Sequence, residues 1–197
     1  MQKTNNEPQF EILRMPPENT NSVLVSVGDD AVIFDPWGHA DAWSKLLESR
    51  GLNLRAIYAT HGHSDHISAA PALAEKYNIQ WFLNHADHDL VLWGNPLLDF
   101  FQIPHIEPDY RRPSDIAGGH TDILSGVSMD VIETPGHSAG GLSYYFPDFG
   151  ILLTGDTLFR DSVGRCDLPG GDESVLRQSV AKIYAMNLPD EIYVVHG

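Results

Sequence analysis

Apolar residues fall in short runs along most of this chain, and turn-forming residues bound each run. Five runs in the first half read as buried strands: residues 10–15 (FEILRM), 22–27 (SVLVSV), 31–35 (AVIFD), 55–60 (RAIYAT) and 79–83 (IQWFL). Between them the period changes. Residues 40–51 (ADAWSKLLESRG) place Ala42, Leu46 and Leu47 on one side of a helix and stop at Gly51, a residue suited to a helix C-terminus. Residues 65–78 predict a second helix with Pro71 in its first turns, where a missing N–H costs little.

The second half repeats the rhythm. Residues 127–134, 141–146 and 150–156 predict strands, residues 172–186 an amphipathic helix capped by Asp172, and residues 191–195 a final strand. Two runs of strands, each closed by helices, imply two sheets packed face to face with helices outside. No linker separates the halves, so residues 1–197 are expected to form one domain. Residues 90–120 break the pattern, being rich in proline and aromatics with weak periodicity. Such a segment is either a lid or pocket wall, or an apolar strap over the core.

Composition narrows the partners. A formal net charge of −15 with scattered Lys and Arg leaves no basic stripe for phosphates, which argues against nucleic acid. Cys166 is the only cysteine, so no intrachain disulfide forms. Residues 1–20 lack the apolar segment of a secretion signal, and no run approaches the ~18 apolar residues of a membrane span. A cytoplasmic protein without a membrane partner is the expectation; the oligomeric state is not legible.

The chemistry concentrates at residues 57–70, IYATHGHSDHISAA, where His61, His63, Asp65 and His66 occupy six positions directly after an apolar run. Side chains two apart in an extended segment share a face, so His61 and His63 can address one metal ion. A turn then lets Asp65 and His66 address a second. One short segment cannot surround two ions, and the sequence offers three further ligands. His137 lies in the glycine-rich turn ETPGHSAGG, Asp156 ends the apolar strand ILLTGD, and His196 ends EIYVVHG. A carboxylate at the end of an apolar strand is costly unless paired or metal-bound.

The run THGHSDH, followed by PGH, GD and a terminal strand with His, resembles the metallo-β-lactamase fold superfamily and its T-H-x-H-x-D-H signature. That resemblance implies an α/β fold, a four-layer αββα sandwich of two mixed β-sheets flanked by helices. It implies that His61, His63 and His137 hold one divalent ion, and that Asp65, His66 and His196 hold another, with Asp156 bridging. Zinc is the expected metal, with iron or manganese as alternatives that the same ligand types suit. Asp35, closing AVIFDP, matches a family aspartate that orients a ligand histidine; otherwise it is a turn residue before Pro36. The resemblance implies a closing helix after the last histidine; the sequence ends at Gly197, so either it is trimmed there or the domain is expected to lack that helix.

The segment GDTLFRDSVGRCDLPGGD is similar to that of short glyoxalase II-like hydrolases. The resemblance therefore implies a binuclear metal-dependent hydrolase acting on a thioester, possible substrates including hydroxyacylglutathione, with Asp65 or Asp156 taking up a proton. A thiol leaves readily as thiolate, which favours thioesters and strained lactones over amides. The alternatives are a lactone hydrolase or a mononuclear iron persulfide dioxygenase using His61, His137 and Asp156. A β-lactam is disfavoured, because a well-known lactamase subclass has cysteine where Asp156 stands. Arg165 either meets a substrate carboxylate or pairs with Asp161 or Asp167. Arg111 and Arg112 are further anion-binding candidates.

Overall fold

The computed structural model describes residues 7–17, 20–189 and 191–197. Residues 1–6, part of the stretch read as lacking a secretion signal, lie outside them. The first sheet runs in the order β1 (Gln9–Arg14), β2 (Asn21–Val27), β3 (Asp30–Phe34), β4 (Asn53–Tyr58), β5 (Gln80–Leu83) and β6 (Ser114–Asp115). Its first two pairings are antiparallel and the other three parallel. The second sheet holds β7 (Gly119–Leu124), β8 (Val127–Glu133), β9 (Leu142–Phe146), β10 (Ile151–Gly155) and β11 (Tyr193–His196). All its pairings are antiparallel except β10 with β11. Both sheets are therefore mixed.

Alternation along each strand sorts the core into layers. Val23, Val25, Val32 and Phe34 face the second sheet and pack on Met129, Val131, Tyr144, Phe146 and Leu153. The alternate residues Leu24, Ala31 and Ile33 point the other way, joining Trp43 and Leu47 of α1 (Ala40–Arg50) and Leu73 and Ala74 of α3 (Ala70–Tyr77). On the outer face of the second sheet, Ile132, Tyr145 and Leu152 receive Ile183 of α6 (Glu173–Ala185). The result is the expected αββα order of layers.

Several local expectations hold and others are corrected. Gly51 closes α1 in the left-handed region at φ 67°. Of the three residues expected on its inner face, Leu47 is buried and Leu46 packs partly buried on the core, while Trp43, not read from the pattern, is also buried, its indole Nε1 donating to the Trp37 carbonyl at 2.8 Å. The single helix expected over 65–78 is two: α2 (Ser64–Ile67) and α3. Pro71 has no N–H to offer the Ile67 carbonyl, and the Ala69 N–H is taken by Pro36 O at 3.1 Å. At α6 the Asp172 carboxylate caps the Ser174 and Val175 N–H groups, as read from the sequence.

Residues 90–120 are more ordered than their periodicity implied. They contain α4 (Leu90–Trp93), α5 (Asn95–Phe100), β6 and the start of β7, a strand the apolar pattern missed. Leu98, Ile103, Ile106 and Tyr110 are buried in the first core, so the segment is a strap. Its Trp93 ring also stands 6.2 Å from His63, which makes one corner of it a site wall. No helix among the described residues is long and apolar enough to cross a membrane.

Candidate metal centre

The candidate site lies where strands from both sheets end. Asp35 follows β3, the His61 loop follows β4, His137 follows β8 and Asp156 follows β10. The residues after β4 are pinned by β9: the Leu142 N–H donates to Thr60 O at 2.8 Å, and the Tyr144 hydroxyl to Ala59 O at 2.7 Å. These bonds fix the first sheet's ligand loop to the second sheet before any ligand is considered.

Two groups of side chains offer converging donor atoms, His61 with His63 and His137, and His61 with His66 and Asp156, each group within 4.8 Å internally. All four histidines are buried. The His61 ring stands 4.8 Å from His63, 4.1 Å from His66 and 4.7 Å from His137, so it is the common member. His66 Nε2 is 3.3 Å, and His137 Nε2 3.5 Å, from the two oxygens of Asp156.

Neighbouring acceptors fix which nitrogen faces inward. The Thr60 hydroxyl donates to Asp35 Oδ2 at 2.7 Å, so toward His61 Nδ1, at 3.1 Å, it is the acceptor. His66 Nδ1 donates to the same Asp35 oxygen at 3.0 Å, and His137 Nδ1 to the Arg165 carbonyl at 2.8 Å. Three Nε2 lone pairs are thereby aimed at one cleft. His63 turns the other edge, its Nδ1 lying 2.9 Å from His137 Nε2. His61 Nε2 and His63 Nε2 are buried without a hydrogen-bond partner, a costly state for a polar atom with nothing to bind. Imidazole and carboxylate donors in this arrangement fit a divalent cation such as zinc, iron or manganese.

Electrostatics agree with a site made for cations. Burial holds His61 well below its ordinary value, helped by the charges of His66, His137 and His63. Burial and then His137 bring His63 down to about 4. For His66 burial also opposes the charged form, but Asp35 and Asp156 outweigh it and raise its value well above the ordinary one. Burial works to raise Asp156, yet the pull of His66 leaves it lowered.

Of the residues singled out in the sequence, His61, His63, His66, His137 and Asp156 come together, and Asp35 sits behind His66 and Thr60. Asp65 is at the margin, 4.0 Å from His66 Nε2 and partly exposed. His196 is in neither group: its Nδ1 bonds the Gly197 carbonyl at 2.8 Å and its ring packs 5.3 Å from Phe159. The three arginines are not at the cluster. Arg165 forms a two-pronged exposed pair with Asp167 at 2.6 and 2.7 Å and serves His137 through its backbone instead. Arg111 bonds Asn78, and Arg112 lies over the Tyr110 ring and bonds its hydroxyl. Sequence reasoning missed Thr60 and Asp87. The threonine stood within the quoted motif, but nothing in the spacing of NHADHDL marked Asp87.

Comparison with known proteins gives a consistent result. The profile described as Metallo-beta-lactamase superfamily matches residues 15–197. The hydroxyacylglutathione hydrolase GloC of Haemophilus influenzae is 30% identical over 175 residues, covering 85% of this chain and 79% of that one. Among solved structures, the B3 metallo-beta-lactamase BLEG-1 superposes with a TM-score of 0.83 at 30% identity, over 96% of this chain and 91% of that one. TTHA1623, solved in a di-iron-bound form, gives 0.81 at 30% identity, over 95% and 91%. The likeness to a B3 lactamase limits the argument from Asp156, which bears only on lactamases with a cysteine ligand.

Proposed function

The chain belongs to the metallo-beta-lactamase superfamily, and from that premise we propose that it is a binuclear metal-dependent hydrolase of small thioesters. In this reading His61, His63 and His137 would hold one divalent ion, and His66 and Asp156 would serve the other. Asp65, 4.0 Å from His66 Nε2, and His196 at the end of β11 would complete the second position. Zinc is the metal we assign first; the di-iron form of TTHA1623 makes iron the principal alternative.

The observation that carries the reading is the set of Nε2 lone pairs on His61, His66 and His137. Each is turned inward because the opposite Nδ1–H is committed to a fixed acceptor. Divalent ions held there supply Lewis acidity toward a carbonyl oxygen and toward water. The chain's own residues do the rest. Asp35 keeps His66 and Thr60 in place, and the Trp93 side chain walls the cleft beside His63. Asp65 or Asp156, with side chains 30% and 21% exposed, takes up a proton at a carboxylate oxygen. A thiolate departs without prior protonation, which suits a cleft whose titratable groups are imidazoles and carboxylates.

GloC is named for hydroxyacylglutathione, which supports the thioester class. Glutathione itself is less well supported, since the Arg165 guanidinium already pairs with Asp167. The test is elemental analysis of freshly purified protein beside assays on lactoylglutathione, a simpler thioester, a lactone, a β-lactam and glutathione persulfide. Two metal ions per chain with thioester turnover support the proposal. One iron per chain with sulfite release would replace it by a persulfide dioxygenase, and turnover of the lactone or lactam alone would move the substrate class.

A further inference from the structure

Asp87 is fully buried, carries a carboxylate, and belongs to none of the groups that face the cleft. It sits in the short 3-10 turn His85–Asp87 after β5, held there by the Asn84 side chain, which accepts from the Ala86 N–H at 3.0 Å. All three of its side-chain bonds go to the two loops that carry His63 and His137. Oδ2 accepts from the Gly62 N–H at 2.9 Å and from the Ser138 hydroxyl at 2.7 Å, and Oδ1 accepts from the Gly140 N–H at 2.6 Å. Gly62 lies between His61 and His63, and Ser138 follows His137.

The fit around this carboxylate is close enough to dictate its neighbours. A Cβ on Gly62 would come within 2.7 Å of the Asp87 carbonyl oxygen and 2.9 Å of its Cβ, and one on Gly140 within 2.8 Å of its Cγ. Two glycines in loops that are 78 positions apart (140 − 62) are thus required by one residue, Gly62 by its backbone carbonyl and Cβ and Gly140 by its carboxylate. Neither loop has a regular strand or helix at these residues to set its shape. A buried carboxylate with three donors around it is a fixed point from which both can be set.

We infer that Asp87 is a positioning residue that clamps the HGH turn to the PGHSAGG turn, and so fixes the approach of His63 to His137, whose facing nitrogens stand 2.9 Å apart. It does for this half of the centre what Asp35 does for His66 and Thr60. The inference rests on the reading that the histidine cluster holds metal, and it adds a residue that touches neither metal nor substrate.

The test measures zinc affinity by chelator competition and the electronic spectrum of the cobalt(II)-loaded protein for wild type, Asp87→Asn and Asn84→Ala. Asparagine keeps the shape but turns an NH2 group either on the Gly140 N–H or on the Gly62 N–H and Ser138 hydroxyl, so that at least one backbone donor of the clamp loses its acceptor. Asn84→Ala loosens the same turn, removing the bond to Ala86 and the one to Ile116 O, and leaves the Asp87 bonds in place. The expected result is a zinc affinity about 10- to 100-fold weaker for Asp87→Asn, with displaced cobalt bands, and a smaller loss for Asn84→Ala, which loosens the turn but keeps the Asp87 carboxylate. Wild-type affinity and spectrum in Asp87→Asn, or equal losses in both variants, would overturn the inference. If Asp87→Asn does not fold, Ser138→Ala removes a single donor from the clamp; a smaller loss of affinity with a shifted cobalt spectrum supports the inference, and unchanged values overturn it. Wild-type protein that takes up no zinc or cobalt would overturn the metal reading itself, and is distinguished by that measurement alone.

Discussion

Asp35 Oδ2 accepts from both His66 Nδ1, at 3.0 Å, and the Thr60 hydroxyl, at 2.7 Å, so one carboxylate oxygen fixes a ring and a hydroxyl. Through Thr60 it reaches His61 as well. Asp35 itself has φ 50°, a conformation that Asn tolerates and Ala does not. Asp35→Ala is expected to weaken zinc binding by about 10- to 100-fold and to cost about 1–3 kcal/mol of stability. Asp35→Asn should lose less stability while still weakening the metal. Chelator competition and urea unfolding of both variants measure the two effects.

The shared position of His61 gives an ordered prediction for ligand deletions. His63→Ala leaves His61, His66 and Asp156 intact, and His66→Ala leaves His61, His63 and His137. Each should retain about one of two ions, in keeping with the three-ligand sets of many metal sites. His61→Ala removes the donor that both groups share and should deplete more metal than either of the other two variants. Elemental analysis after gel filtration reads this directly, and equal depletion in all three variants would contradict the division into two groups.

Arg165 offers a contrast between a side chain and its backbone. The guanidinium is exposed and its charge is held by Asp167, whose carboxyl the Arg165 hydrogen bond lowers to about 2. The carbonyl of the same residue fixes His137. Arg165→Ala is therefore expected to leave zinc affinity and the KM for a thioester unchanged. A raised KM with unchanged kcat would assign the guanidinium to substrate binding.

How much of this was legible in the sequence depends on distance along the chain. The strands other than β6 and β7, the capped helix after Asp172 and the ligand loop at 61–66 are local patterns, written in alternation, capping residues and close spacing. Asp35, His137 and Asp156 became readable through a resemblance and through their places at strand ends. Asp87 and the two glycines against it were not readable, because their relationship exists only once two distant loops are brought together. The split of residues 65–78 was decided by the Ala69–Pro36 bond, another contact between segments remote in sequence. For the arginines, charge alone did not disclose the neighbouring acceptors that engage them.

The opposed shifts of the buried histidines predict how the metal-free protein responds to pH. For His61 and His63 the folded value lies below the ordinary 6.5, reaching about 4 for His63. Their contribution is complete above pH 6.5 and is lost as pH falls toward those lower values, because the unfolded chain then binds more protons. For His66 the folded value is raised, so its contribution is complete below pH 6.5 and is lost as pH rises through the raised value. Stability after chelation should therefore be greatest near pH 6.5, with limbs of about 1.4 kcal/mol per pH unit for each histidine titrating fully. Thermal melts of chelated protein across this range check it, and a stability that climbs steadily from neutral to alkaline pH would contradict the assignment for His66.

Two glycines separate a backbone requirement from a requirement of the site. Gly51 and Gly155 both have positive φ, 67° and 48°. A Cβ on Gly51 meets nothing within 4 Å, whereas one on Gly155 would come within 2.7 Å of Thr60 Cβ and closer still to its hydroxyl oxygen. Gly51→Ala should thus cost only the left-handed penalty of about 1–2 kcal/mol and leave metal affinity alone. Gly155→Ala incurs the same penalty and also displaces Thr60, releasing the hydroxyl that joins Asp35 to His61. It should lose more stability than Gly51→Ala and bind zinc more weakly. Equal stability losses with equal zinc affinities would mean that Thr60 shifts without disturbing His61, and that the threonine is not part of what holds the cluster.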